Sequence, residues 1–328
     1  MELRVFTAFS GYDSQCMALD RAGIDYELVG WSEIDKYAIA AHNAVYPQYA
    51  GRNYGDISTI DWAQVPDFDL FTYSSPCQDF STAGLQRGGT KGSGTRSSLL
   101  WECERAIAAK HPKYLLFENV AALVSQKFIR LFNEWQLLLE RMGYTNFTQV
   151  LNAKDYGVPQ NRERVFMVSI RDCEQPYYFL KPIQLTKCLN DVVEDKVDEK
   201  YYLSDAAIQC FDRHAERHGG RGHGFGWNPT DGNVVANAVT TNAGNRPADN
   251  YIKVPVSEDS YRIRKLTPKE CFRLMGVADT DSDKITAVLS KSRCYQVAGN
   301  SIVVDVLAAI FDQLFNGNKN TNQQTELF

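Results

Sequence analysis

In the first half of the chain, short apolar runs alternate with longer stretches in which apolar residues recur at helical spacing. The apolar runs have the length and composition of buried strands, and they occupy residues 2–9, 26–35, 69–76, 113–120 and 164–170. The stretches between them predict helices over residues 15–23, 36–47, 99–111 and 127–143. This alternation predicts an α/β fold in which helices cover both faces of a mostly parallel, doubly wound sheet.

The pattern changes after about residue 172. Residues 201–260 are rich in Gly, Asn, Asp and Thr and show little helical spacing, which predicts a smaller, mostly β or irregular second domain over residues 174–287. Residues 302–315 return to a strongly apolar helical pattern. We expect this last helix to pack onto the first domain, so that residues 1–173 and 288–328 form one domain.

Composition and charge are typical of a soluble globular protein. The 328 residues are 44% hydrophobic and 23% charged, and the net charge is −5. No window of about 18 residues is continuously apolar, and the N-terminal residues lack the pattern of a signal peptide, so the sequence predicts a cytoplasmic protein. The acidic charge argues against a strongly basic nucleic-acid binder, but it leaves room for a local basic patch.

The eight cysteines are scattered and include no Cys-x-x-Cys pair, which predicts free thiols in a reducing compartment. Zinc ligands are usually paired at short spacing, and only the His-rich residues 213–223 come close to that pattern. This stretch fits a solvated basic loop better than a metal site. We therefore expect no metal.

Several polar residues follow predicted strands, at the edge where open α/β sheets bind their ligands. They are Gly11, Glu33, Asp56, Cys77 and Glu118. Each acidic residue alone is more typical of a helix cap or a surface charge. Together they indicate a cleft for an adenosine derivative, because a carboxylate after the second strand suits ribose hydroxyls and an aspartate nearby suits the adenine amine.

Cys77 lies in a Pro-Cys-Gln turn at one of these predicted strand ends. A buried cysteine is most often a packing residue. A cysteine at a strand end beside a cleft is also a candidate nucleophile, because its thiolate is accessible near neutral pH. The Gly-rich residues 81–98 that follow are typical either of a linker or of a lid over a substrate.

Six short motifs run in order through nearly the whole chain. They are FSGYDS (9–14), SPCQDFS (75–81), FENV (117–120), QNRERVF (160–166), RKLTPKECFRLMG (264–276) and QVAGNSIVV (296–304). In this order they resemble the motifs of the cytosine-5 DNA methyltransferases of bacterial and phage type. The resemblance implies an S-adenosyl-L-methionine-dependent methyltransferase fold, with residues 174–287 as its target-recognition domain. It also implies methyl transfer to carbon 5 of a flipped cytosine in duplex DNA.

The resemblance implies catalytic roles for five residues. Cys77 adds to carbon 6 of cytosine, Glu118 faces N3, and Arg164 holds O2 and a neighbouring phosphate. Asn119 orders the cytosine pocket, and Arg162 supports it.

The resemblance also implies a set of cofactor contacts. These are Phe9, Gly11, Glu33, Ile34, Asp56, Ile57, Pro76, Leu99, Asn300 and Ser301. Many family members carry a glycine where this chain has Asp13. We therefore expect either a rearranged cofactor loop or a new polar contact at Asp13.

DNA contacts are expected from a mobile loop and from the second domain. The loop spans residues 78–96 and would enter the gap that the flipped base leaves. Between Lys200 and Glu270, ten Lys or Arg stand against eight Asp or Glu, a modest positive excess in an acidic chain. The candidates for phosphate or guanine contacts are Arg213, Arg217, Arg221 and Arg246.

Two alternatives stand beside a DNA methyltransferase: a tRNA cytosine-5 methyltransferase, and a non-catalytic DNA-binding relative. The residues after the nucleophile motif and the sizeable second domain favour DNA, and the presence of Cys77, Glu118 and Arg164 favours catalysis. We expect a monomer that acts on double-stranded DNA. The sequence leaves open the recognition site and a functional pairing with a restriction endonuclease.

Overall fold

The structure, a computed structural model, describes residues 2–76, 99–219, 226–257 and 260–317. The strands are β1 (Leu3–Ala8), β2 (Tyr26–Ser32), β3 (Leu70–Tyr73), β4 (Tyr114–Val120), β5 (Tyr144–Asn152), β6 (Gln160–Asn161), β7 (Glu163–Arg171), β8 (Ala236–Asn237), β9 (Tyr251–Ser257) and β10 (Ser260–Lys265). The α-helices are α1 (Ser14–Arg21), α2 (Lys36–Val45), α3 (Leu100–Lys110), α4 (Ile129–Arg141), α5 (Asp205–Gly219), α6 (Pro268–Leu274), α7 (Asp279–Val288), α8 (Lys291–Asn300) and α9 (Val304–Phe315).

The chain forms two compact units, each with many more residue contacts within it than to the other. Unit 1 comprises Met1–Asn152, Glu163–Lys181 and Val306–Phe328, and unit 2 comprises Ala153–Arg162 and Pro182–Asp305. The sequence instead divides the chain at residues 173 and 288. The segment 153–162 falls in unit 2 because β6 pairs with β8 there. The division of the chain by function stays a prediction.

Unit 1 is built on a six-stranded sheet with the order β2-β1-β3-β4-β7-β5. The first four strands are parallel, whereas β7 runs antiparallel to β4 and β5 runs antiparallel to β7. Parallel neighbours require crossover connections, which α1, α2 and α3 supply at the predicted positions. The predicted α/β class is confirmed, and the carboxyl ends of β1 to β4 meet at one edge of the sheet.

One face of this sheet is covered by an aromatic core. Tyr73 of β3 and Phe117 of β4 pack with Phe132 and Trp135 of α4, and all four side chains are buried. The Trp135 indole N–H donates to the Tyr73 hydroxyl at 3.1 Å, so neither polar group is left without a partner. Each buried ring of this kind contributes roughly 1.5–3 kcal/mol. The core therefore fixes β3 and β4, whose ends carry the candidate site.

Unit 2 contains two short two-stranded sheets and the helices α5 to α8. The expectation of a solvated loop is wrong for residues 213–219, which form the last part of α5, while residues 220–223 lie outside the described residues. The helix forms because Phe211 packs its ring against Trp227 and Tyr251, at 4.9 Å and 5.6 Å between centroids. Trp227 also donates its indole N–H to Asp212 at 2.9 Å.

The segment Lys291–Phe315, which contains α8 and α9, is the one helical stretch among the described residues long and apolar enough to cross a membrane. Within its most apolar window, 67% of the residues are buried inside the protein. A core helix passes the same test of length and composition, so this stretch is weak evidence of a membrane span.

Candidate active site

The turn after β1 is built on three left-handed residues. Phe9, Gly11 and Asp13 have φ angles of 55°, 61° and 67°. The Gly11 N–H donates to Glu33 Oε2 over 3.0 Å, and nothing lies within 4 Å of the position that a Cβ would take at Gly11. Left-handed backbone is unfavourable for most side chains. The turn therefore adopts an energetically unfavourable backbone conformation, and open space lies beside Gly11.

Glu33 follows β2, and both of its carboxylate oxygens accept hydrogen bonds. Oε2 accepts from the Gly11 N–H, and Oε1 accepts from the N–H groups of Ile34 at 2.8 Å and Asp35 at 2.9 Å. Ile34 is 59% exposed. The structure thus brings the predicted cofactor residues Gly11, Glu33 and Ile34 together at one edge of the sheet.

Asn53 is a residue of this edge that sequence reasoning missed. Its side-chain oxygen accepts from the N–H of Glu33 at 3.2 Å and from that of Gly55 at 2.9 Å, and its amide donates to the Glu33 carbonyl at 3.1 Å. Asn53 therefore fixes the segment that leads to Asp56 against the end of β2. No spacing in the sequence signals this contact.

The remaining predicted cofactor residues of unit 1 differ in exposure. Asp56 is exposed and accepts from the N–H and hydroxyl of Ser58, at 2.9 Å and 2.8 Å. Ile57 is buried in the core, and Leu99 packs partly buried against it. Pro76 is half-buried and follows β3 by three residues. Only Asp56 of this group presents a charged group at the surface.

Cys77 and the predicted loop 78–96 lie outside the described residues. The backbone directly before Cys77 is described, and Asn119 holds it. The Asn119 amide donates to the Ser75 carbonyl at 3.1 Å, and its side-chain oxygen accepts from the Val120 N–H at 2.9 Å. The Glu-Asn-Val motif thus anchors the Pro-Cys motif through a buried side chain.

Glu118 and Arg164 form an ion pair at the carboxyl edge of β4. The Arg164 Nε lies 3.2 Å from Glu118 Oε1, and the Ser74 hydroxyl donates to Glu118 Oε2 at 2.5 Å. The antiparallel register places Arg164 opposite Val120, two residues beyond Glu118 and on the same face. The pair is mostly buried, with side-chain exposures of 7% for Glu118 and 21% for Arg164. Ser74 was not predicted from the sequence.

Arg162 is a buried anchor within unit 2. Its guanidinium donates to the carbonyls of Val239 at 2.9 Å, Gly299 at 2.9 Å and Ser301 at 2.8 Å. Gln160 accepts from the Val239 N–H at 2.8 Å and donates to the Leu274 carbonyl at 2.6 Å. The motif Gln-x-Arg therefore binds both backbone groups of Val239. A direct part for Arg162 in the cytosine pocket stays a prediction.

The Gly-Asn-Ser motif closes α8 in unit 2. A Cβ on Gly299 would lie 2.3 Å from the Thr241 nitrogen, so only glycine fits against this backbone. Asn300 is exposed at the end of the helix, and the Ser301 carbonyl accepts from Arg162. Cofactor binding by Asn300 and Ser301 stays a prediction.

The candidate DNA-contacting arginines lie in unit 2. Arg213 and Arg246 are exposed, the side chain of Arg217 is not among those described, and Arg221 lies outside the described residues. The loop of Arg246 is held by Asp249, whose carboxylate accepts from the N–H groups of Asn245 at 3.1 Å and Arg246 at 2.9 Å. Arg246 is thus presented on an ordered loop.

Three other cysteines are too buried to serve as nucleophiles. Burial raises the pKa of the Cys16, Cys103 and Cys271 thiols well above the usual range, and a neighbouring carboxylate raises each pKa further. They are therefore protonated at neutral pH and inert. In the described part of the chain, no three His, Cys, Asp or Glu side chains converge as metal ligands do.

Comparison with known proteins gives consistent matches over the whole chain. The family model for C-5 cytosine-specific DNA methylase matches residues 3–316. The type II methyltransferase M2.ScrFI of Lactococcus lactis subsp. cremoris is 37% identical over 95% of this chain and 99% of its own length. The type II methyltransferase M.NlaX of Neisseria lactamica is 32% identical over 95% of this chain and 96% of its own length.

A solved structure of similar fold is the Dnmt2 methyltransferase of S. pombe. It superposes with a TM-score of 0.77 over 97% of this chain and 99% of its own, at 20% sequence identity. At that identity the likeness supports the fold alone.

Proposed function

The chain belongs to the C-5 cytosine-specific DNA methylases, which methylate cytosine in DNA with S-adenosyl-L-methionine, and we propose that Cys77, Glu118 and Arg164 perform this reaction. The proposal rests chiefly on the buried Glu118–Arg164 pair at the carboxyl end of β4. Asn119 holds the Ser75 carbonyl and so anchors the chain two residues before Cys77. The same edge of the sheet therefore supplies an acid, a cation and the anchor for a nucleophile.

The chemistry requires a nucleophile because carbon 5 of neutral cytosine is too electron-poor to take a methyl group. The Cys77 thiolate adds to carbon 6, forming a carbon–sulfur bond and moving the ring electrons toward N3. The ring becomes an enamine that is nucleophilic at carbon 5. When the carbon-5 proton leaves after methylation, its electrons restore the ring double bond and expel the thiolate.

Glu118 and Arg164 stabilise the ring during this addition. Glu118 holds a proton between its carboxyl group and N3, so that negative charge does not build up there. The Arg164 Nε contacts Glu118, and one of its amino groups donates to the Glu163 carbonyl at 2.7 Å. Its second amino group, which has no partner among the described residues, is the proposed donor to cytosine O2.

The cofactor residues of unit 1 fit S-adenosyl-L-methionine. The Ser10 hydroxyl in the turn after β1 is buried and has no hydrogen-bond partner among the described residues. A buried hydroxyl without a protein partner is consistent with a hydrogen bond to a bound polar ligand. We propose that Glu33 binds the ribose hydroxyls and Asp56 the adenine amine, with Phe9 and Gly11 at the methionine end. When bound, the cofactor supplies the methyl group.

Duplex DNA must release the target base before Cys77 can reach it. Flipping the cytosine costs a few kcal/mol of unstacking, and we propose that residues 78–96 fill the gap. Residues 174–287 are the proposed recognition domain. Within it, the ordered loop that presents Arg246 supports a direct contact with DNA.

The assembly and cellular context are proposed at a coarser level. We propose a cytoplasmic monomer. Two relatives are type II methyltransferases, which supports a functional pairing with a restriction endonuclease.

The direct test is methyl transfer from tritiated cofactor to duplex DNA and, in parallel, to tRNA. We expect label in duplex DNA only, and bisulfite sequencing of DNA from expressing cells should place it at one recurrent sequence. Label in tRNA and none in DNA would contradict the proposed substrate. Absence of label in both would support a non-catalytic DNA-binding protein.

A further inference from the structure

Asp13 occupies a position that is costly for an aspartate. It is fully buried, and its backbone is left-handed, with φ 67° and ψ 57°. L-residues other than glycine are strained in this region, although aspartate tolerates it better than most. A buried carboxylate also requires partners, because it loses its hydration. Asp13 must therefore be held by its surroundings.

The Asp13 carboxylate is held from two sides by hydrogen bonds. Oδ1 accepts from the Cys16 N–H at 3.2 Å and so caps α1, while Oδ2 accepts from the Thr7 hydroxyl of β1 at 2.9 Å. The Asp13 N–H in turn donates to the Ser10 carbonyl at 2.8 Å. A shift of Asp13 would thus move the turn that carries Ser10 and Gly11.

His42 of α2 faces the same carboxylate. Its Nε2 lies 3.4 Å from Asp13 Oδ2 without forming a hydrogen bond to a described residue, and its Nδ1 lies 3.4 Å from Asn43 Oδ1. The side chains of His42 and Asp13 are both fully buried. Among the residues that the structure describes, His42 is the only basic side chain within 4 Å of the Asp13 carboxylate. The imidazole is clamped in this orientation by stacking on Trp31 of β2, with 3.8 Å between centroids and 19° between planes.

We propose that His42 is a positioning residue for cofactor binding: through Asp13 it holds the turn at residues 9–13 in the shape that presents Gly11 to Glu33. The inference rests on the proposed function, in which this turn and Glu33 bind the cofactor. A glycine at position 13 would adopt the left-handed shape unaided. In this chain the task falls to Asp13 with its partners Thr7 and His42.

This role makes a prediction that a packing role for His42 does not. His42→Leu replaces the polar ring that faces the Asp13 carboxylate with an apolar side chain, and so frees the turn to move. Asp13→Gly removes the carboxylate and keeps the left-handed backbone, so it should suppress the effect of His42→Leu. If His42 only filled the core, the loss in His42→Leu would persist in the double variant.

The experiment is a double-variant cycle read by calorimetric titration with S-adenosyl-L-methionine. We expect His42→Leu to weaken binding about tenfold, with kcat at saturating cofactor unchanged. The double variant Asp13→Gly/His42→Leu should bind within about twofold of Asp13→Gly alone. Wild-type affinity in His42→Leu, or a double variant as weak as His42→Leu, would overturn the proposal.

Three further variants guard the result. Thr7→Val removes the hydroxyl that donates to Asp13 at nearly constant side-chain volume. It should also weaken binding of S-adenosyl-L-methionine, and Asp13→Gly should suppress that loss. This variant keeps the test available if His42→Leu does not fold. Thr72→Val is the matched control, because Thr72 pairs with Thr7 in the sheet and its buried hydroxyl has no partner among the described residues. Glu33→Ala tests the cofactor site itself: undiminished binding there would refute the proposed site, whatever the cycle shows.

Discussion

At the scale of single residues, the Glu118 carboxylate contacts one neutral and one positively charged side chain. The Ser74 hydroxyl donates to one carboxylate oxygen, and the Arg164 guanidinium faces the other. Removing one partner of a mostly buried pair leaves a charge without compensation, so the pair is costly to break. We propose that this pair at the end of β4 serves the reaction as well as stability.

Replacing Glu118 by glutamine tests the acid directly. The amide keeps the shape of the side chain but cannot hold a proton for N3, so kcat should fall about 10²- to 10⁴-fold. Cofactor affinity should stay at the wild-type value, because Glu118 is not among the proposed cofactor contacts. Single-turnover transfer of tritiated methyl groups to duplex DNA measures the rate.

Glu163→Gln is the matched control for this variant. Glu163 is exposed on β7 next to Arg164, and it offers Arg164 only its backbone carbonyl. Its variant should methylate DNA at the wild-type rate. Equal losses in both variants, or full activity in Glu118→Gln, would remove Glu118 from the reaction.

The sequence predicted the ionisable residues of the candidate site but not the polar residues that contact them. Glu118 and Arg164 stand in motifs, whereas Ser74 lies 44 residues before Glu118 and meets it only because β3 and β4 are neighbours. Asn53 and His42 were missed for the same reason. An uncharged or singly placed polar residue shows its partner only once the strand order is known.

At the scale of elements, the start of α6 shows how a family motif can be structural. Thr267 and Glu270 form a reciprocal capping box, and Glu270 also accepts two hydrogen bonds at 2.8 Å from the buried Arg264. The Thr267 hydroxyl donates onward to Glu194 at 2.5 Å. In this motif Thr267 and Glu270 therefore start helix α6, and Glu270 forms a buried ion pair with Arg264 within unit 2.

Glu270→Gln should destabilise unit 2 strongly. It leaves the guanidinium of Arg264, which is 4% exposed, without its carboxylate, at a cost of about 3–5 kcal/mol. Urea unfolding followed by circular dichroism should show a lower midpoint. Glu199→Gln, which removes the exposed partner of Arg262, should leave the midpoint unchanged. Equal midpoints for the two variants would contradict the structural role of the buried pair.

The elements that the sequence predicted are those with a continuous apolar signal. Strands β1 to β4 and β7 are apolar runs, and the predicted helices α1 to α4 fill the gaps between them. Strand β5 was missed because it lies at the sheet edge and reads as polar, with Thr, Asn and Gln along it. Helix α5 was missed because its last residues are basic and are followed by glycines, a pattern typical of a loop. The contact that stabilises it joins the rings of Phe211 and Trp227, which are distant in sequence.

At the scale of the whole molecule, an acidic chain acts on a polyanion. The net charge of −5 means that affinity for DNA must come from local cations rather than from the overall field. The exposed Arg213 of α5 and Arg246 of the loop held by Asp249 are the proposed cations in unit 2. The proposed acid–cation pair, Glu118 and Arg164, lies in unit 1. The proposed reaction and the proposed recognition of DNA thus involve separate parts of the chain.

The most direct test of this account is covalent trapping on duplex DNA that carries 5-fluorocytosine at the methylated position. Fluorine at carbon 5 cannot leave as a cation, so the Cys77 adduct cannot resolve and should survive denaturing electrophoresis. We expect trapping by the wild-type protein and by Cys173→Ser, and none by Cys77→Ser, which should still bind DNA because phosphate contacts lie elsewhere. A wild-type protein that methylates DNA but never traps, or a fully active Cys77→Ser, would contradict covalent catalysis through Cys77.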